Sequence, residues 1–242
     1  MLHGPQKDAV NLSFSLPSDC AEEIERGGSG IGLVPVVEIA RQDLAVVPGV
    51  GITCCGAVRS ILLFSRVPWR KVRTLAADSG SRTSVELARV ILREQFGVQP
   101  SINRAKPALD EMLSQADAAL IIGDSALHID PDRAGYDWLD LGAEWFRLTR
   151  LPFVFAAWSG RPGIPVEALS AITVSSHSFG NMHLEDIVER EYRPREISKD
   201  LARRYLTEHI KFVINEPETR GLEAFLELAN LRRPDLAGKP LS

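Results

Sequence analysis

The chain has 242 residues, 45% of them hydrophobic and 25% charged, and carries a net charge of -4. These values fit a globular protein able to bury a full core, and the acidic balance argues against a broad nucleic-acid-binding face while leaving room for a small basic pocket. The apolar runs at 118–122 and 152–158 have the length of core strands and not of membrane spans, and the first dozen residues lack the apolar stretch of a secretory signal. Cys20, Cys54 and Cys55 fit neither a disulfide framework nor a C-x-x-C motif, so reduced thiols and a cytoplasmic location are expected, with no membrane or nucleic-acid partner.

Residues 11–16 (NLSFSL) alternate apolar and polar side chains and predict a strand. PSDCAEEIERG predicts a short helix with Ser18 as N-cap, ended by Gly27 or Gly28. IGLVPVV (31–37) reads as a buried strand that must stop at Pro35, because proline cannot donate to a central ladder. A further strand is expected from about Val58 to Ser65. KVRTLAA, DSGSRTS and TSVELARVILREQFG then form a strand–turn–helix unit. Val85, Leu87, Ala88, Ile91, Leu92 and Phe96 supply its apolar stripe, and Gly97 its C-cap. PALDEMLSQA predicts a helix, DAALIIGD a buried strand and PFVFAAW another strand. The Gly/Pro-rich stretch 159–165 reads as a crossover or linker, and helices are expected in EALSAI, LARRYLTEHIKFVI and RGLEAFLELANL. Alternating strands and helices imply an α/β protein with largely parallel sheets.

The turn DSGSRTS has two readings. A helix N-terminus presents unpaired N–H groups and a partial positive charge, so it attracts carboxylates and phosphates. Ser81, Thr83 and Ser84 would add donors, Gly80 would let a ligand approach the backbone, and Arg82 would add charge. Against this, Thr83 and Glu86 have the spacing of a capping box, which leaves Ser79, Ser81 and Arg82 unexplained. Gly123 and Asp124 end a strand, where ligands of α/β sheets sit; Asp124 equally suits the N-cap of a helix beginning SAL. Strand alternation would send Arg59 and Ser60 to opposite faces, one of them toward a cleft. Glu38 fits a general base or a first-turn carboxylate stabilised by the helix dipole. His177 and His183 lack the helical spacing of a metal pair, no metal site is expected, and the aromatics Trp138, Trp145, Phe146, Phe153, Phe155 and Trp158 read as core.

IGLVPVVEIAR, VPGVGITCCGAVRSILLFS, LAADSGSRTSVELARVIL, ADAALIIGDSAL and DLGAEWFRLTRLPFVFAAW occur in this order. Together, from about Leu2 to about Trp158, they resemble the chorismate dehydratases of the futalosine route to menaquinone. Sister enzymes acting on later naphthoate intermediates share the fold but not this set of phrases.

The resemblance implies a two-lobed fold like that of type II periplasmic solute-binding proteins, with residues 57–158 in one lobe and 1–56 with 159–242 in the other. Chorismate would lie in the cleft, held by Ser60, Gly80, Ser81, Arg82, Thr83, Ser84, Gly123 and Asp124 on one side and by Pro35 and Val36 of GLVP on the other. Ser81 would act in catalysis, and the base would be Glu38, Asp124 or the substrate's own side-chain carboxylate. The implied chemistry requires no cofactor. A non-catalytic carboxylate-binding protein on the same fold is the rival expectation. Members of the family usually place a strand, a SYLN-like loop and a helix ahead of the segment that matches MLHGPQ. A chain starting at Met1 is therefore expected to lack an interior strand, and to be poorly folded or inactive in that form.

Overall fold

The computed structural model describes residues 1, 3–15, 17–78, 82–232 and 234. In chain order it contains α1 (Pro17–Arg26), β1 (Ile31–Pro35), α2 (Val36–Gln42), β2 (Ala45–Cys54) and β3 (Ile61–Ser65). Then follow β4 (Thr74–Asp78), α3 (Arg82–Phe96), β5 (Ser101–Ala105), α4 (Leu109–Gln115), β6 (Ala118–Ile122) and α5 (Gly123–Leu127). The rest comprises β7 (Asp137–Asp140), α6 (Leu141–Thr149), β8 (Phe153–Gly160), α7 (Val166–Met182), α8 (Leu184–Glu191), α9 (Lys199–Arg204), β9 (Lys211–Ile214) and α10 (Glu216–Leu228).

The strands form two sheets, one of four strands in the order β1-β8-β2-β9 and one of five in the order β5-β4-β6-β3-β7. The first is antiparallel in every described pairing. The second is mixed: β4 runs parallel to β5 and β6, while β3 runs antiparallel to β6 and β7. The expectation of largely parallel sheets is thus corrected. Only the β4–α3–β5 and β4–β6 connections carry the helical crossovers that parallel pairing needs. Sheet membership changes between Asp140, the end of β7, and Phe153, the start of β8.

Local expectations meet mixed outcomes. β1 stops at Pro35 and passes directly into α2. α3 buries Leu87, Ala88, Ile91 and Leu92, and Gly97, at φ +70°, closes it. The Gly97 N–H returns to the Arg93 carbonyl at 3.0 Å, the 5→1 bond of an αL helix end, and the Val98 N–H reaches the Leu92 carbonyl at 3.2 Å. Residues 11–15 form no strand, because an alternating segment without a neighbouring strand has no ladder to join. α1 begins at Pro17, ahead of the expected cap. Val58, Arg59 and Ser60 precede β3, and Arg59 sits at φ +65°, so the strand alternation assumed for Arg59 and Ser60 does not hold. The C-terminal helix breaks after Arg204 into a π-helical turn, Tyr205–His209, and KFVI becomes β9.

One continuous core joins the elements of both sheets. Val34 and Val36 from the β1–α2 corner, Leu63 and Leu75 from the larger sheet, and Trp145, Phe153 and Phe225 belong to the same buried cluster. Trp145 packs edge-on to Phe153 and Phe225, at 5.3 and 6.0 Å between ring centroids, and its indole N–H donates to the Pro152 carbonyl at 3.1 Å. The aromatic set expected in the core is therefore centred there on Trp145 and Phe153. Among the described residues no helix is long and apolar enough to cross a membrane, and no group of three His, Cys, Asp or Glu side chains is placed to hold a metal. The three cysteines are free, and burial pushes the Cys54 thiol well above its ordinary pKa.

Candidate functional site

Strand directions bring several of the expected site residues to one edge of the five-stranded sheet. β4 and β6 are parallel, so Asp78 and Ile122 end at the same edge. β3 is antiparallel to β6, so its first residues lie there too. Ser60, Gly123 and the first turn of α3 consequently line that edge across three neighbouring strands, a span of two spacings or about 10 Å. This is the carboxyl end of the parallel strands, where open α/β sheets bind ligands.

Each position is fixed by local bonds. Gly123 adopts φ +61°, which a glycine tolerates without strain, and its N–H donates to the Ser60 carbonyl at 2.8 Å. Ser60 is itself buried. The turn before it is held by Asp140, whose carboxylate accepts from the N–H groups of Val58 (3.0 Å), Arg59 (2.7 Å) and Ala143 (3.0 Å). The Arg59 guanidinium, half-buried, is engaged by backbone carbonyls. It donates to the carbonyls of Ala126, Leu127 and Ile129, closing the C-terminal end of α5.

The β1–α2 corner meets α3 from the other sheet. Pro35 and Val36 are buried there, and the Val37 N–H approaches the Thr83 hydroxyl at 3.5 Å. Arg82 reaches Glu38 at 2.9 Å, Arg41 reaches Glu38 at 3.1 Å, and Arg41 also pairs with Glu86 at 3.4 Å. Glu38 lies in the first turn of α2 and is 4% exposed, so two guanidiniums compensate a buried carboxylate.

The capping-box reading is corrected: α3 is already helical at Arg82, Thr83 lies inside it, and Glu86 turns to Arg41. Thr83 and Ser84 are both buried. The N-cap reading of Asp124 is also corrected, because α5 begins at Gly123 and the Asp124 carboxylate pairs with Arg195 at 3.0 Å. Gly80 and Ser81 lie outside the described residues.

Two cavities flank this region. One of about 360 Å³ opens at the ends of β4 and β5 and is lined by Arg41, Arg82, Arg89 and Arg104 together with Asp78 and Glu86. A larger one, about 1090 Å³, lies beside β1 and is lined by Leu12, Phe14, Ile31, Leu33, Trp158 and Phe212 among others. Its ionisable lining includes Glu23, and also His177, whose basicity burial lowers. An anionic ligand is favoured by the arginine-lined edge and not by this apolar space.

Sequence reasoning did not find Asp140, Tyr205 or Arg195. Asp140 stands just before the apolar helix LGAEWF, an N-cap signal that was available. Its reach back to Val58 was not.

The fold and this edge define a protein of the periplasmic-binding-protein fold class. Among solved structures the chain is similar to an Archaeoglobus fulgidus protein, with a TM-score of 0.66 at 13% identity, covering 90% of this chain and 84% of that one. An ABC transporter protein from Parabacteroides distasonis gives a TM-score of 0.58 at 14% identity over 93% and 86%. The alkanesulfonate-binding protein SsuA from Xanthomonas axonopodis pv. citri gives 0.56 at 12% identity over 90% and 80%. At these identities the likeness concerns the fold alone. A family model described as menaquinone biosynthesis matches residues 1–231, and the chain belongs to that family. It is also 30% identical, over 247 aligned positions, to the chorismate dehydratase of Thermus thermophilus, covering 95% of this chain and 90% of that protein.

Proposed function

We propose that this protein is a cytoplasmic lyase that dehydrates chorismate to 3-[(1-carboxyvinyl)oxy]benzoate in the futalosine route to menaquinone. The observation that carries the reading is the arginine-lined edge at the first turn of α3, in a chain of the menaquinone-biosynthesis family. The lobes would divide as 1–56 with 159–242 and 57–158, apart from β8, whose first residues join the four-stranded sheet. The ligand would lie where the two sheets meet.

Chorismate carries a ring carboxylate, an enolpyruvyl ether at C3 and a hydroxyl at C4. Removal of the C3 proton sends an electron pair through the conjugated double bond onto the ring carboxylate. The pair returns as the C4–O bond breaks, hydroxide leaves with a proton as water, and the ring becomes aromatic. Donors aimed at the carboxylate stabilise the charge that develops there, an effect worth about 3 kcal/mol per donor in comparable sites. Ser81, Thr83 and Ser84 with the adjoining N–H groups are assigned this role, Ser81 as the principal donor, and Arg82 supplies charge. Pro35, Val36, Gly80, Gly123 and Asp124 would shape the pocket. Glu38 and Asp124 are both already engaged in ion pairs with guanidiniums. The substrate's own side-chain carboxylate is then the base best placed by chemistry, and the reaction needs no cofactor.

The test follows chorismate consumption and aromatic product formation by absorbance, with calorimetry on chorismate and its methyl ester. Conversion, with binding that weakens for the ester, supports the reading. Binding of chorismate without turnover would make the protein a carboxylate-binding relative, and equal affinity for acid and ester would remove the carboxylate cradle.

A further inference from the structure

We infer that Tyr205 is a positioning residue of the ligand site, fixing the Ser60 hydroxyl so that the pair donates one hydrogen bond to a bound carboxylate. The inference rests on the proposed site. Tyr205 Oη donates to Ser60 Oγ at 2.9 Å across 145 positions of sequence. Two hydroxyls carry two hydrogens, and this bond uses one. Among the described residues nothing further accepts from either hydroxyl, although Ser60 is buried at the edge where Gly123 and α3 converge. A buried donor without an acceptor is costly, so the arrangement favours an acceptor arriving with the ligand.

The backbone around Tyr205 is built to hold it there. Tyr205 opens the π-helical turn Tyr205–His209, and the Ile210 N–H returns to the Tyr205 carbonyl at 3.0 Å. Single π turns inside helices recur at functional sites. Three ties fasten this stretch to the loops around Ser60. His209 Nδ1 meets the Ala57 carbonyl at 3.1 Å, Arg195 pairs with Asp124, and His128 Nε2 meets the Arg195 carbonyl at 2.7 Å. Residues 195–209 therefore form a strap over the ends of β3 and β6. Burial pushes the Tyr205 phenol above its ordinary pKa, keeping it protonated as a donor.

The experiment compares wild type, Tyr205→Phe, Ser60→Ala and the double variant, measuring KM and kcat for chorismate, calorimetric affinity for chorismate and isophthalate, and thermal unfolding. Tyr205→Phe keeps the ring and removes only the hydroxyl. It is expected to raise KM and Kd about tenfold, and to add less than twofold when Ser60 is already alanine. Additive effects, or an unchanged KM with a lowered melting temperature, would overturn the role while leaving the dehydratase reading intact. If chorismate is not bound but isophthalate is, with the same dependence on Tyr205, the dehydratase reading fails and the positioning role stands. If neither carboxylate binds the wild type, both fail.

Discussion

Asp140 does the work of three anchors with one side chain. Its carboxylate caps α6 through the Ala143 N–H and holds the buried turn of Val58 and Arg59, where Arg59 is in the left-handed region. Replacement by alanine removes an N-cap, worth about 1 kcal/mol. It also strands two donors at about 1–3 kcal/mol each. Asp140→Ala is expected to cost about 3 kcal/mol in urea unfolding, and to weaken chorismate binding by displacing Ser60. Asp140→Asn, which keeps one carbonyl oxygen, is expected to lose about half as much. A loss below about 1 kcal/mol for alanine would mean that solvent takes over the freed N–H groups. Residues of this kind were only partly legible. A strand end marked Gly123 for the candidate site, whereas the alternation that singled out Arg59 and Ser60 does not hold and Asp124 caps no helix, because the partners of Arg59 and Asp124, the carbonyls at the end of α5 and Arg195, come from distant segments.

Among the elements, the parallel pair β4–β6 is locked at its start by Asp117. Its carboxylate accepts from the N–H groups of Arg73 (2.9 Å) and Thr74 (3.2 Å), and the Asp117 N–H returns to the Thr74 hydroxyl at 2.9 Å. The Arg73 N–H is the main cause of a carboxyl pKa held below its ordinary value, with Thr74 adding to it. A depressed carboxyl contributes stability that is complete above its unfolded pKa of about 3.9 and is lost as pH falls through the folded value. Asp117→Asn is accordingly expected to cost about 1 kcal/mol at pH 7, and the gap from wild type should narrow toward pH 3. A gap that stays constant from pH 7 to pH 3 would rule out the carboxylate as its source. Strands were recognised where burial made them continuous, as in β3 and β6, whose residues are almost all buried. β5 and β9 were missed because each is largely exposed and lies at a sheet edge. Residues 11–15 show the converse: alternation is a local property, and a ladder needs a partner.

Across the whole molecule, the two sheets are coupled where α2 meets α3. Glu38, carried by the chain that leaves β1, is shared between Arg41 on its own helix and Arg82 on the helix of the larger sheet. A ligand carboxylate arriving at the first turn of α3 would compete with Glu38 for Arg82. Releasing that competition should therefore trade stability of the free protein against affinity. Loss of one partner from a fully buried ion pair costs about 3–5 kcal/mol, but Arg82 and Arg41 are 35% and 43% exposed, so solvent compensates much of it. Glu38→Gln is expected to lower the stability of the free protein by about 1 kcal/mol and to tighten chorismate binding about fivefold, the same free energy appearing on the binding side. Denaturation of the free protein and calorimetry with chorismate measure the two quantities separately. If affinity falls together with stability, Glu38 builds the site and does not compete with the ligand, and the coupling between the sheets has the opposite sign.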